Sequence, residues 1–147
     1  MNVKEYMSLN PVCAAETDTI STISKLMKDN HIGFVPVCDD TNSLCGIVTD
    51  RDIVLRCVAC DKDASQTTVS DVMTKQVIKA SSDMQVNDVI KEMKDNQVRR
   101  IPIVDNNQLA GVITLGDLAQ DAQSIGGKEV SNTLECICDT DNNKNAE

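Results

Sequence analysis

Two short stretches place a hydroxyl, a carboxylate and a new helix side by side. Gly46 to Ile53 reads GIVTDRDI, and Gly111 to Leu118 reads GVITLGDL. In each, a Gly and a β-branched apolar run end at a threonine, Thr49 or Thr114, and an aspartate, Asp52 or Asp117, follows three residues later where a helical pattern begins. A strand running straight into a helix leaves about four unpaired backbone N–H groups and a partial positive charge at the helix start, which favours anionic ligands. The threonine and aspartate side chains add groups suited to phosphate or to sugar hydroxyls. Thr-x-x-Asp is also close to a capping box, in which the threonine accepts from the third helical N–H. Taken singly, each copy reads first as a cap, and it is the repetition that raises a binding role.

Other residue types carry less chemistry. Arg99 and Arg100 are adjacent arginines in an acidic chain, planar donors matched to phosphate or, alternatively, partners for surface carboxylates. His31 is the only histidine. It has no Ser, Asp or Cys at a motif spacing and reads as a solvated or capping residue. Cysteines stand at 13, 38, 45, 57, 60, 136 and 138. They read mainly as reduced, often buried thiols. Cys57-x-x-Cys60 and Cys136-x-Cys138 leave open a thiol or zinc role, against which stand the long separation and the position of the first pair at the end of a helical pattern. No nucleophile elbow, P-loop or paired-acid motif is present, so neither a catalytic residue nor a metal site is expected and the chain reads as a non-enzyme.

Composition narrows the partners. A formal net charge of -9 argues against nucleic acid, which demands a basic face, and Tyr6 and Phe34 are too few to stack bases. No apolar run approaches the roughly 18 residues of a membrane span, and the opening MNVKEYMS lacks a signal-peptide core. The expectation is a soluble, cytoplasmic protein with no membrane partner.

The elements that must hold these residues follow from periodicity. Val3 to Met7 reads as a helical lead-in and Pro11 to Ala14 as a brief strand. A helix capped by Thr17 or Asp18 carries Ile20, Ile23 and Met27 and closes at Asn30. Phe34 to Cys38 is a strand whose Pro36 asks for an edge or a strand end. A turn over 39–43, a strand from Leu44 to Thr49 and a helix from about Asp50 to Ala59 follow. After a polar linker over 61–68 the programme restarts: lead-in Val69 to Met73, brief strand Val77 to Ala80, helix Gln85 to Asn96 with Val86, Val89, Ile90 and Met93 on one face, strands Arg100 to Val104 and Leu109 to Thr114, and helix Leu115 to Ser124. Beyond Gly126-Gly127 an amphipathic possibility remains at Val130, Leu134 and Ile137, then a disordered tail from Asp139 to Glu147.

Met7 and Met73 lie 66 apart, as do Pro36 and Pro102 and the identical MKDN runs at 27–30 and 93–96; after the turn the offset becomes 65, as in Thr49 with Thr114 and Asp52 with Asp117. The expected fold class is therefore α/β (α+β), two β-α-β-β-α units packed about a pseudo-twofold axis. Its expected divisions are 1–60, linker 61–68, 69–124 and a partly disordered extension 125–147.

In register, HIGFVPVCD (His31 to Asp39) leading to GIVTDRDI, and VRRIPIVD (Val98 to Asp105) leading to GVITLGDL, resemble a tandem pair of cystathionine-beta-synthase-type (CBS) domains of the small stand-alone bacterial kind. The resemblance covers about residues 3–124 and implies adenosine recognition in two clefts between the units. One cleft would use Ile47, Thr49 and Asp52 with Val77, Ile78, Arg99 and Arg100. The other would use Val112, Thr114 and Asp117 with Pro11, Val12, Gly33 and Phe34. The aspartates would hold ribose hydroxyls, the threonines and arginines phosphate, and the apolar residues the adenine. Gly33 and Phe34 replace the two arginines in the second cleft, which weakens phosphate binding there, and Phe34 reads first as core. The implied function is a regulatory sensor for AMP, ADP, ATP or S-adenosylmethionine with no tightly held cofactor. It would act as a homodimer or on an unidentified regulated protein. The rival readings are a dimerisation or docking scaffold with empty clefts, and a thiol or zinc protein.

Overall fold

A computed structural model describes residues 1–120 and Ser131 of the chain. The fold is mixed α/β, with two three-stranded sheets in two compact units. The first unit comprises Pro11–Val77 with Asn106–Leu109; the second comprises Met1–Asn10 and Ile78–Asp105 and resumes at Ala110.

In the first unit, β2 (Ala14–Ala15) is followed by α1 (Ile20–Asn30), β3 (Phe34–Cys38), β4 (Leu44–Thr49) and α2 (Asp50–Ile53), which widens into a π-helical stretch over Val54–Val58. Helix α1 starts at Thr19, one or two residues past the expected caps, because the Thr19 hydroxyl accepts from the Thr22 N–H at 3.2 Å while Asp18 turns back to the Ala15 N–H. It closes at His31, whose left-handed φ of 54° lets its N–H return to Lys28 and Met27. That is the capping role expected of this histidine. The apolar stripe Ile20, Ile23 and Met27 lies on Val35, Val37 and Val48 of the sheet, and each such side chain, when fully buried, contributes about 1.5–3 kcal/mol.

Pro36 departs from expectation, since β3 is the middle strand of the order β2-β3-β4. The physical reason is that β2 pairs only with Val37 and Cys38, so at Pro36 the side of β3 away from β4 carries no ladder hydrogen bond to lose. The polar stretch 61–68 is also more than a tether. Its Thr67 and Ala64 carbonyls accept from the Ile20 and Ser21 N–H groups at 2.9 Å, satisfying orphan donors at the start of α1.

The second unit repeats the plan with α3 (Val86–Asn96), β5 (Arg100–Asp105), β6 (Gln108–Thr114, its first two residues falling in the first unit) and α4 (Leu115–Ala119). Helix α3 buries Val86, Val89, Ile90 and Met93 and closes at Gln97, φ 56°, the register mate of His31. The expected strand at Val77 to Ala80 reduces to one parallel bridge, Ala80 with Ile103.

The opening residues complete this second unit. Strand β1 (Ser8–Leu9) pairs antiparallel with β6, Ser8 opposite Val112 and Leu9 opposite Gly111, while the Val3 N–H donates to Met84 and the Val86 N–H to Met1. Val3 is fully buried among Ile101, Ile103, Ile113 and Leu118. Correspondingly, Val69 and Val72 of the second lead-in are buried in the first unit. The end of the helix expected at Leu115 to Ser124, the amphipathic segment at Val130, Leu134 and Ile137, and the tail lie outside the described residues.

Candidate functional site: two strand-to-helix junctions

Each junction folds as its sequence demands. The apolar runs Ile47-Val48 and Val112-Ile113 form strand, and the threonine that ends each strand is the cap of the helix that follows. At the first, the Thr49 Oγ1 accepts from the Asp52 N–H at 3.1 Å and the Asp52 Oδ2 accepts from the Thr49 N–H at 3.0 Å. At the second, the Thr114 Oγ1 accepts from the Asp117 N–H at 3.0 Å and the Asp117 Oδ2 from the Thr114 N–H at 3.1 Å. Both are complete capping boxes. A capping box uses one carboxylate oxygen. Among the described residues, neither Asp52 Oδ1 nor Asp117 Oδ1 accepts a hydrogen bond, so each junction keeps an acceptor that its cap does not use.

The surroundings are assembled within each unit. The Asp50 N–H donates to the Gly33 carbonyl at 3.1 Å, and Phe34 lies opposite Thr49 in the ladder, so Gly33 and Phe34 sit at the first junction. Phe34 is half-buried and stands outside the core cluster that contains Val35 and Val37, so the core reading is not realised. A Cβ on Gly33 would come within 2.7 Å of the Asp50 carboxylate, so a side chain there would displace that acid. At the second junction, the Leu115 N–H donates to the Arg99 carbonyl at 2.8 Å, which places Arg99 and the start of β5 there; both arginines are exposed. Ile47, Pro11, Val12 and Val77 are half-buried in the first unit, and Val112 is buried in the second, where half-buried Ile78 packs on the core.

Two residues that the sequence reading passed over join the first junction. The Arg56 Nη1 donates to the Val72 carbonyl at 2.9 Å and to the Thr74 Oγ1 at 3.3 Å, and lies 3.8 Å from Asp52 Oδ1. The i, i+4 spacing of Asp52 and Arg56 was a readable signal. Thr74 had none, because its position depends on the second lead-in pairing with Ile47 in both directions, at 2.8 and 3.0 Å. Glycine permits that crossing, since a Cβ on Gly46 would come within 2.6 Å of the Thr74 carbonyl, and one on Gly111 would collide with that of Ser8.

The cysteines supply a contrast. Cys38 is buried, and its thiol is pushed up to about 11, first by burial and then by neighbouring Cys13, Cys45 and Asp39, which disfavours the reactive thiolate. Cys57 is a core residue donating to the Lys62 carbonyl, while exposed Cys60 turns to that of Leu55. Among the described residues no three His, Cys, Asp or Glu side chains are arranged to hold a metal ion. Cys136 and Cys138 lie outside those residues.

Comparison with known proteins fits this geometry. The CBS-domain family model matches residues 3–59 and 69–122. This chain therefore belongs to the CBS-domain family, as a tandem pair. It is 38% identical over 123 residues to the CBS domain-containing protein YhcV of Bacillus subtilis, covering 84% of this chain and 86% of that one. It is similar to the crystal structure of Hypoxic Response Protein I with two coordinated zinc ions, at TM-score 0.77 and 26% identity, covering 82% of this chain and 98% of that one. It is also similar to the CBS domain pair of protein MJ0100 in complex with 5-methylthioadenosine and S-adenosyl-L-methionine, at TM-score 0.74 and 29% identity, covering 87% and 98%. Among the described residues no helix is long and apolar enough to cross a membrane.

Proposed function

We propose that the chain is a non-enzymatic regulatory module that binds an adenine nucleotide or a related adenosyl compound. The observation that carries this reading is the carboxylate oxygen left over by each capping box, Asp52 Oδ1 and Asp117 Oδ1, an acceptor suited to a ribose diol. The likeness to a CBS pair that holds methylthioadenosine and S-adenosylmethionine supports the ligand class. Asp52 takes the ribose hydroxyls, Thr49, Arg99 and Arg100 the phosphate, and Ile47, Val77 and Ile78 the adenine. A second cleft would pair Val112, Thr114 and Asp117 with Pro11, Val12, Gly33 and Phe34, and would favour a ligand with less phosphate.

Occupancy acts by shifting an equilibrium between packing states, which requires unequal affinity for the two. Calorimetric titration with AMP, ADP, ATP and S-adenosylmethionine tests the reading. Saturable heat from at least one supports it, and no heat or thermal shift with any of them at millimolar concentration removes it.

A scaffold reading has its own observation. Val54, Leu55 and Val58 are 54%, 49% and 63% exposed on the helix that follows Thr49, an apolar face suited to a second copy of the chain. Asp52→Ala separates the two readings: a sensor loses its ligand response, whereas a scaffold loses only a cap worth about 0.5–2 kcal/mol.

A further inference from the structure

The Arg56 guanidinium is arranged unusually for an acid's neighbour. Its Nη1 gives hydrogen bonds to the Val72 carbonyl and the Thr74 hydroxyl, and it remains 3.8 Å from Asp52 Oδ1, too long for a hydrogen bond but close enough to orient the carboxylate by charge. The Thr74 hydroxyl in turn lies 3.5 Å from Asp52 Oδ2, the oxygen already bonded to the Thr49 N–H. The Asp52 side chain is 15% exposed, sheltered enough for its charge partners to matter. A carboxylate gripped on Oδ2 and faced on Oδ1 by a cation whose Nη1 hydrogen bonds go to Val72 and Thr74 has one oxygen to offer, in one orientation.

The other repeat lacks this arrangement. At the offset of 65, Asp121 occupies the place of Arg56 in the sequence, so that position can supply no guanidinium to Asp117; at the offset of 66, Ser8 replaces Thr74. Among the described residues no ion pair reaches Asp117.

We propose that Arg56 is a positioning residue that sets ribose selectivity at the Thr49–Asp52 junction, making this the tighter ribose site of the pair. The proposal rests on the nucleotide reading given above. Arg56 touches no ligand in it. It fixes the side chain of Asp52, so that Oδ1 meets the ligand's diol, and ties that carboxylate to the Val72–Thr74 segment.

The test titrates the full chain, its Arg56→Gln and Arg56→Lys variants and Asp52→Asn with AMP and with 2′-deoxy-AMP, with thermal melts run alongside. The wild-type protein is expected to prefer AMP by about tenfold, the size of one hydrogen bond to a charged group. Arg56→Gln should weaken AMP by about that factor, leave 2′-deoxy-AMP within about twofold, and so erase the preference, as Asp52→Asn does. Arg56→Lys, which keeps the charge, should retain part of the preference and carries the test should the glutamine variant melt early. A general loss of structure would weaken both ligands alike. Arg56 variants that bind and discriminate like wild type, or that lose both ligands equally, overturn the assignment, as does a wild-type protein that binds AMP and 2′-deoxy-AMP equally. A wild-type protein that binds none of AMP, ADP, ATP and S-adenosylmethionine overturns the nucleotide reading itself.

Discussion

The junctions at Thr49 and Thr114 share a backbone and differ in their company. Their capping threonines have φ, ψ of -114°, 162° and -116°, 154°, and both boxes close with hydrogen bonds of 3.0–3.1 Å. Around that common frame, the first gathers Gly33, Asp50 and Arg56, and the second Arg99 and Leu115. Duplication has kept the part that a strand-to-helix turn needs for stability and let the surrounding charges diverge. The comparison teaches that symmetry of fold and symmetry of site are separate properties: cap geometry is dictated by orphan N–H groups, whereas the cap places no such demand on the neighbours.

The comparison can be broken most forcefully in the cores. Val48 and Ile113 are register mates, both fully buried. Ile113→Ala should cost about 2–5 kcal/mol and Val48→Ala less, as fewer methylenes are lost, measured by denaturant unfolding. Equal costs would mean that the first unit relaxes less around its smaller deletion than the second does around its larger one. The caps come next. Thr49→Ala and Thr114→Ala should each cost about 0.5–2 kcal/mol and agree with one another within a few tenths if the boxes are equivalent, Asp52 having Arg56 at hand in both wild type and variant. A clearly larger loss at Thr49 would show that the Arg56 network depends on its cap.

The smallest effect is expected in alkali. Val104 is the register mate of Cys38 in the second repeat, and of the two only the cysteine titrates. Because burial raises its folded pKa to about 11, above the roughly 8.5 of an unfolded thiol, its contribution is full below that lower value and is lost as pH rises through the folded one. Wild type should therefore lose stability between about pH 8.5 and 11 more steeply than Cys38→Val, a difference readable from melts across that range.

Much of this was legible in the residues. The stripe Ile20, Ile23 and Met27 and its counterpart Val86, Val89, Ile90 and Met93 fixed two helices, since local periodicity and burial agree there. The junctions were readable because a cap is a local device. Pro36 was misplaced in expectation because strand order is a tertiary property, and an edge can exist for one residue of a central strand. The first junction's full company escaped for a related reason. Nothing local to Thr74 says that it will lie on Ile47, or that Ser8 and Leu9 will join β6, about a hundred residues away. Glycine at 46 and 111 was the one hint of such a crossing, and its meaning emerges only once the crossing segment is known.

That exchange of lead-ins has a consequence for biosynthesis. Met1–Asn10 leave the ribosome ahead of everything they dock on, since the Val3 N–H awaits Met84 and Ser8 awaits Val112. At roughly 5–20 residues per second, the wait for β6 lasts several seconds or more, during which Val3 and Met7 have no core of their own to enter. Pro11–Val77 can begin to condense in that interval. Residues 1–10 are thus made before the first unit and find their places after it, and a change among them would first be felt in the second unit.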